Sequence, residues 1–216
     1  MKNIQIDNTL AQTKETQASI TPEIALNLLK RGNERFIQNK TLSRDFDRQI
    51  AKTANAQYPF SVILSCIDSR IPTEIIFDQG IGDIFNIRIA GNIINKDILA
   101  SLEFACSIIG VPSIIVLGHT DCGAIKGACD QVQVGNLPYL LDKIVPSIKR
   151  INELYPDDQT SKNPSYINEV ASLNVKVSCE QILQESSILL EMHLQQQIQI
   201  AGAMYDVSTG KVEFLD

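Results

Sequence analysis

Three short apolar runs punctuate the first 120 residues of the chain: Val62-Ile63-Leu64-Ser65, Ile84-Phe85-Asn86-Ile87-Arg88-Ile89 and Ser113-Ile114-Ile115-Val116-Leu117-Gly118. They are rich in β-branched residues and too short for typical helices, and the first follows Pro59, so each reads as a buried strand. Between the first two, Pro72 and Thr73-Glu74 open a short helix through Phe77, and Gly80 and Gly82 make a turn. Between the second and third, Ile98, Leu102, Ala105, Cys106 and Ile109 share one face of a helix from about Lys96 to Ile109, which Gly110 and Pro112 stop. The order β-α-β-α-β predicts a parallel sheet with helices on its faces.

The flanks extend this picture. The first twenty residues are polar and read as a loose arm, expected to order only against a partner subunit. Thr21-Pro22-Glu23 then caps a helix that runs to about Asn39, with Ile24, Leu28, Leu29 and Phe36 on its apolar stripe. Residues 41–57 are polar and give no element. Beyond Gly123 the chain reads as helical over Ala124 to Cys129, and again over Asn136 to Tyr155 with an interruption at Pro146. After a polar loop from Pro156 to Pro164 come a long amphipathic helix, about Ser165 to Glu185, and a shorter one from Ser187 to Gln195. Ile198 to Tyr205 and Lys211 to Phe214 are strands joined through Ser208-Thr209-Gly210. The expectation is an α/β protein with a central, mainly parallel sheet, a C-terminal antiparallel hairpin strand, helices on the faces and an N-terminal helical arm. It would form a single domain over 1–216: arm and helix 1–40, core strands 58–123, helical lobe 136–195 and C-terminal strands 198–216.

Composition narrows the class. A formal net charge of −6 with no long basic run argues against nucleic acid or an anionic membrane surface as the main partner. No apolar run approaches the ~18 residues that span a bilayer. Met1 to Ser19 lacks the apolar centre of a signal peptide, so a cytoplasmic location is expected, although an export signal already removed would leave no trace. Five cysteines in a chain of this size, with no framework spacing, point to metal binding or burial rather than disulfides.

The chemistry gathers where strands end. Cys66, Asp68 and Arg70 follow the first strand, and His119-Thr120-Asp121-Cys122-Gly123 follows the third. Ligands in open α/β sheets bind at the carboxyl ends of strands, and two adjacent parallel strands would bring Cys66, His119 and Cys122 together. Two thiolates and an imidazole suit zinc, and three protein ligands leave the fourth position to water, as in catalytic sites. The remaining candidates, His193, Cys106, Cys129 and Cys179, fall on helical patterns away from strand ends. Asp68 alone is placed to reach the same metal. Beside Arg70 it stays ionised and could orient an attacking hydroxide. A non-catalytic zinc protein has no use for such a pair, and a thiol redox enzyme would want C-x-x-C spacing.

Cys66-Ile67-Asp68-Ser69-Arg70, Arg88-Ile89-Ala90-Gly91-Asn92 and His119-Thr120-Asp121-Cys122-Gly123-Ala124 together resemble the β-class carbonic anhydrases. The similarity runs from about Ala25 to Phe214 and includes Phe77 to Asp83 and Gly202 to Asp206. Ile67 departs from the family's usual Ser or Ala without touching the chemistry. The resemblance implies reversible hydration of carbon dioxide to bicarbonate and a proton by zinc-bound hydroxide. Cys66, His119 and Cys122 would be the zinc ligands, with Asp68 and Arg70 as catalytic pair. Asp68 would itself ligate zinc only in a closed, low-pH state. It implies a substrate pocket of Gln57, Phe85, Ile89 and the Gly123 amide. Assembly would be as a homodimer or homotetramer with active sites at the subunit interface, Gln57 and Phe85 tending to come from the neighbour. Members inhibited by bicarbonate use an anion pocket containing tryptophan, and this chain has no Trp, which favours the open type. Some relatives instead hydrolyse carbon disulfide or carbonyl sulfide on the same fold, and a non-catalytic zinc or bicarbonate-binding protein is the other alternative.

Overall fold

The computed structural model describes residues 6–153 and 159–215. Five strands form one sheet: β1 (Ser61–Ser65), β2 (Ile84–Arg88), β3 (Ser113–His119), β4 (Gln199–Tyr205) and β5 (Val212–Phe214). Their order is β2-β1-β3-β4-β5, the first four parallel and β5 antiparallel to β4. The register sets Ser65 beside both Arg88 and Leu117, so β1 and β2 end together and β3 runs two residues further, to His119. That alignment puts the segments after β1 and β3 side by side.

Side chains alternate across the sheet, as the two-residue repeat of a strand requires. Ile63, Ile115 and Leu117 face a layer built from α2 (Pro22–Ile37), α6 (Gly123–Cys129), α7 (Leu137–Leu141), α8 (Val145–Asn152) and the first half of α9 (Pro164–Glu185). Val62, Leu64, Ile114 and Val116 face α5 (Lys96–Glu103), the second half of α9 and α10 (Ser187–Leu194). Both faces are covered, which is why the strands read as continuous apolar runs. Helix α9 crosses the sheet closely because Gly118 and Gly202 lack side chains. A Cβ at either would stand 2.5 or 2.7 Å from Val175. Among the described residues no helix is long and apolar enough to cross a membrane.

Several expectations need correction. Residues 6–20 are not a loose arm awaiting a partner: α1 (Lys14–Ser19) forms within them, closed by a capping box between Thr13 and Thr16. The segment is tied to its own chain, Gln17 Nε2 donating to the carbonyls of Pro59 and Ile109 ahead of β1 and β3, and Ile20 is buried. Polar side chains rather than an apolar stripe hold it, so no hydrophobic periodicity announced it. The polar stretch 41–57 contains α3 (Phe46–Thr53), capped by Asp45 and anchored by buried Gln49. The helix read as Lys96 to Ile109 leaves α geometry at Phe104, where Phe104–Ile108 widens to a π turn before Gly110 at φ 84°. The interruption near Pro146 separates α7 from α8 over residues 142–144, ahead of the proline, which occupies the first turn of α8. Tyr155, and the part of the Pro156–Pro164 loop before residue 159, lie outside the described residues.

Candidate metal centre and its surroundings

Ligand atoms of Cys66, His119 and Cys122 lie within 4.8 Å of one another, and all three residues are buried. Cys66 follows the last residue of β1, His119 ends β3, and Cys122 precedes the first turn of α6. Asp121 adopts φ 58°, and this tight left-handed bend returns the chain so that Cys122 faces His119.

The donor chemistry fits a metal. His119 Nδ1 stands 2.8 Å from the Thr120 carbonyl, so Nδ1 carries the hydrogen and Nε2 keeps its lone pair. Nε2 is buried with no hydrogen-bond partner among the described residues, an arrangement that costs free energy unless an electron-pair acceptor completes it. The two thiols share one environment. Contact with Cys122, together with His119 and the Gly91 amide, holds Cys66 well below the usual thiol range; the same contact and burial push Cys122 up. The Cys66 sulfur accepts the Gly91 amide at 3.3 Å, while backbone amides at Ala124 and Ile125 face Cys122.

Asp68 leans over this cluster, with Oδ2 4.0 Å from His119 Nε2. The Arg70 guanidinium holds it from the other side, through Nε to Oδ1 and Nη2 to Oδ2. Hydrogen bonding to Arg70 outweighs partial burial and keeps the Asp68 carboxyl well below the usual carboxylate range. Arg70 also reaches Asp121, and Asp121 pairs with Lys126. Arg88 clamps the loop itself, donating to the backbone carbonyls of Cys66 and Asp68 at 3.0 and 2.6 Å.

The remaining predicted residues divide. Ile89 follows β2, its amide bonded to the Ser65 carbonyl, and so adjoins Cys66. Gly123 is exposed at the start of α6, with open space where a Cβ would stand. Phe85 is paired with Val62, four residues before Cys66, which places it about 13 Å down the sheet. Gln57 precedes β1 at its opposite end and is exposed. Within one chain these two do not line the cluster. Missed in the sequence were the Arg88 clamp, the Gly91 amide on sulfur and the Asp121 contact to Arg70. Arg88 and Gly91 stood in the quoted Arg88–Asn92 stretch, but only the fold shows what they touch.

A buried Cys–His–Cys cluster at the strand ends of a mainly parallel sheet, overhung by an ionised carboxylate, is a donor set that suits zinc, placed where α/β enzymes bind their ligands. Comparison with known proteins resolves the class further. The family model described as carbonic anhydrase matches residues 61–212. Carbonic anhydrase 2 of Mycobacterium tuberculosis is 35% identical over 202 residues, covering 90% of this chain and 93% of that protein. Carbonic anhydrase of Mycolicibacterium smegmatis is 32% identical over 199 residues, covering 89% and 92%. The crystal structure of the β-carbonic anhydrase CafA of Aspergillus fumigatus matches with a TM-score of 0.72 at 26% identity, over 90% of each chain. The chain belongs to the β-carbonic anhydrase family, whose reaction is the hydration of carbon dioxide.

Proposed function

We propose that Cys66, His119 and Cys122 hold the zinc ion, and that Asp68 and Arg70 form the catalytic pair for reversible hydration of carbon dioxide to bicarbonate. The observation that carries this reading is the convergence of three buried ligand atoms within 4.8 Å, with an unpartnered imidazole nitrogen, beneath Asp68. Zinc, when bound, supplies the Lewis acidity that makes a nucleophile from water near neutral pH.

The protein's own groups do the rest. Arg70 fixes both oxygens of Asp68 and keeps them ionised, so the carboxylate can accept one hydrogen of the attacking water and leave its lone pair facing the substrate. Ile89 supplies an apolar wall suited to an uncharged gas, and the Gly123 amide is a donor for the oxygen that gains charge. The Arg70 fork keeps Asp68 off the metal position, which supports the open type of site inferred from the absence of tryptophan.

Assembly as a homodimer or homotetramer completes the pocket, with Gln57 and Phe85 supplied by the neighbouring subunit. Their position away from the cluster of their own chain supports this reading. So does the surface around β2, an edge strand of the sheet. It carries exposed Phe46 and Ile75 near Ile84, and exposed Phe104 on a groove of about 410 Å³ that Phe85 and Ile87 also line. Two β-carbonic anhydrases of Sordaria macrospora, similar to this chain in fold, are described as tetrameric.

Stopped-flow hydration of carbon dioxide tests the reading, with zinc content measured on the same samples. Cys66→Ser is expected to hold zinc more weakly and to lose activity. Asp68→Asn is expected to keep zinc and lose rate. Full hydration activity in either variant would overturn the assignment.

A further inference from the structure

Helix α9 carries polar side chains into the core beneath the metal centre. Asn174 and Ser178 are each 2% exposed, and Ser147 of α8 is fully buried. Their neighbours along the helix, Val170, Ala171, Val175 and Val177, are apolar and buried. An apolar side chain at position 174 would avoid the cost of taking an amide out of water.

Each polar group is spent on one bond. Ser147 Oγ donates to Asn174 Oδ1 at 3.3 Å, Asn174 Nδ2 donates to the Gly91 carbonyl at 2.8 Å, and Ser178 Oγ donates to the Asn92 carbonyl at 3.2 Å. The Gly91 amide in turn donates to Cys66 Sγ at 3.3 Å. A line of hydrogen bonds therefore runs from α8 through α9 to the sulfur. Gly91 is the pivot: at φ 69° its N–H faces the sulfur while its carbonyl meets Asn174, and a Cβ there would stand 2.9 Å from Ile144 Cδ1. The same helix holds the other ligand loop, since Asn168 Oδ1 accepts the Asp121 amide at 3.1 Å.

We propose that Asn174 is a positioning residue for the metal centre: it fixes the Gly91 amide on the Cys66 sulfur and so sets how strongly that thiolate donates to the ion. The inference rests on the reading of Cys66 as a zinc ligand. Two thiolates cancel the formal charge of a divalent ion, which weakens its pull on substrate oxygen. An N–H directed at one sulfur withdraws electron density from the metal–sulfur bond and restores part of that pull. Groups behind metal ligands typically change metal affinity or activity by about 10–100-fold.

The test uses cobalt(II)-substituted enzyme, whose thiolate-to-metal charge-transfer band reports electron density on sulfur, together with the rate at which a chelator removes zinc. Asn174→Leu keeps the branched shape and removes the donor. The band is expected to move to lower energy and zinc release to slow, because a sulfur freed of its N–H donates more strongly to the ion. Ser147→Ala, which frees the far side of the Asn174 amide, is expected to move both in the same direction by less. Cys66→Ser separates the two levels of the argument, because it removes one of the two thiolates and should remove about half of the band's intensity. If Cys66→Ser lowers the intensity but Asn174→Leu leaves band and release rate unchanged, the role of Asn174 is overturned. If Cys66→Ser leaves the intensity unchanged, the ligand reading itself fails. Should Asn174→Leu not fold, Ser147→Ala decides, and an unmoved band there overturns the proposal.

Discussion

Arg70 grips Asp68 through two parallel hydrogen bonds, Nε to Oδ1 at 2.9 Å and Nη2 to Oδ2 at 2.8 Å, and its backbone amide adds a third to Oδ1. A fork of this kind fixes direction as well as charge. Asp68→Asn keeps the shape but cannot hold a proton, so carbon dioxide hydration at pH 8 is expected to fall roughly 10²–10⁴-fold with zinc content unchanged. Arg70→Lys keeps the charge without the fork. Stopped-flow rates for it are expected between those of wild type and Asp68→Asn, and a wild-type rate in either variant would contradict the pair's role.

A second carboxylate serves the fold. Asp78 accepts from Arg35, Arg44 and the Leu42 amide, and both Asp78 and the Arg44 side chain are nearly fully buried. The cluster ties the segment after α2 to the loop after α4 (Thr73–Ile76). Asp78→Asn would leave Arg44 without its counter-charge, at a cost of about 3–5 kcal/mol. Urea titration checks this, and a loss under about 1 kcal/mol would show that solvent reaches the arginine.

Asp83 predicts an unusual pH dependence. It is fully buried on the turn before β2, and burial pushes its carboxyl up to about 6 despite the Gly80 amide and nearby Arg44. The folded value lies above the ordinary 3.8, so between these two values the folded state binds more protons than the unfolded one. The contribution of Asp83 to stability therefore falls as pH rises from about 4 to about 6, and the full cost of the buried charge persists above that. Asp83→Asn keeps an acceptor for Gly80. It is expected to be more stable than wild type at pH 8, by up to roughly 3 kcal/mol, with the difference vanishing near pH 4. Equal stability at pH 8 would contradict the account.

The face around β2 makes a prediction about assembly. Phe104→Asp places a charge in the exposed apolar surface, beside Val62 and Phe85 and so down the sheet from the ligand cluster. Sedimentation is expected to show dissociation to monomer, with zinc retained and hydration activity lost because the neighbour's Gln57 and Phe85 are gone. A fully active monomer would contradict a shared site.

Much of this molecule was legible in its sequence, for reasons that differ from part to part. The strands announced themselves because both faces of the sheet are covered, leaving unbroken runs such as Ile114 to Leu117. Cys66, His119 and Cys122 could be gathered on paper because they follow or end two adjacent parallel strands, β1 and β3. Illegible were the elements held by polar contacts. Helix α1 depends on the Thr13–Thr16 box and on Gln17, and α3 on Asp45 and Gln49, none of which produces a hydrophobic period. The widened turn at Phe104–Ile108 preserves the apolar positions of Leu102, Ala105 and Cys106, so the pattern looked like an uninterrupted helix. Asn174 was hidden by its surroundings, as a polar residue in an apolar stripe whose partner lies across the core.

X-ray absorption at the zinc edge of the purified protein tests the central claim most directly. The account predicts one zinc per chain, two sulfur ligands at about 2.3 Å and one imidazole nitrogen at about 2.0 Å, with a light-atom fourth ligand. One sulfur should be lost in each of Cys66→Ser and Cys122→Ser. A folded, active protein without zinc, or a zinc shell without sulfur, would contradict it.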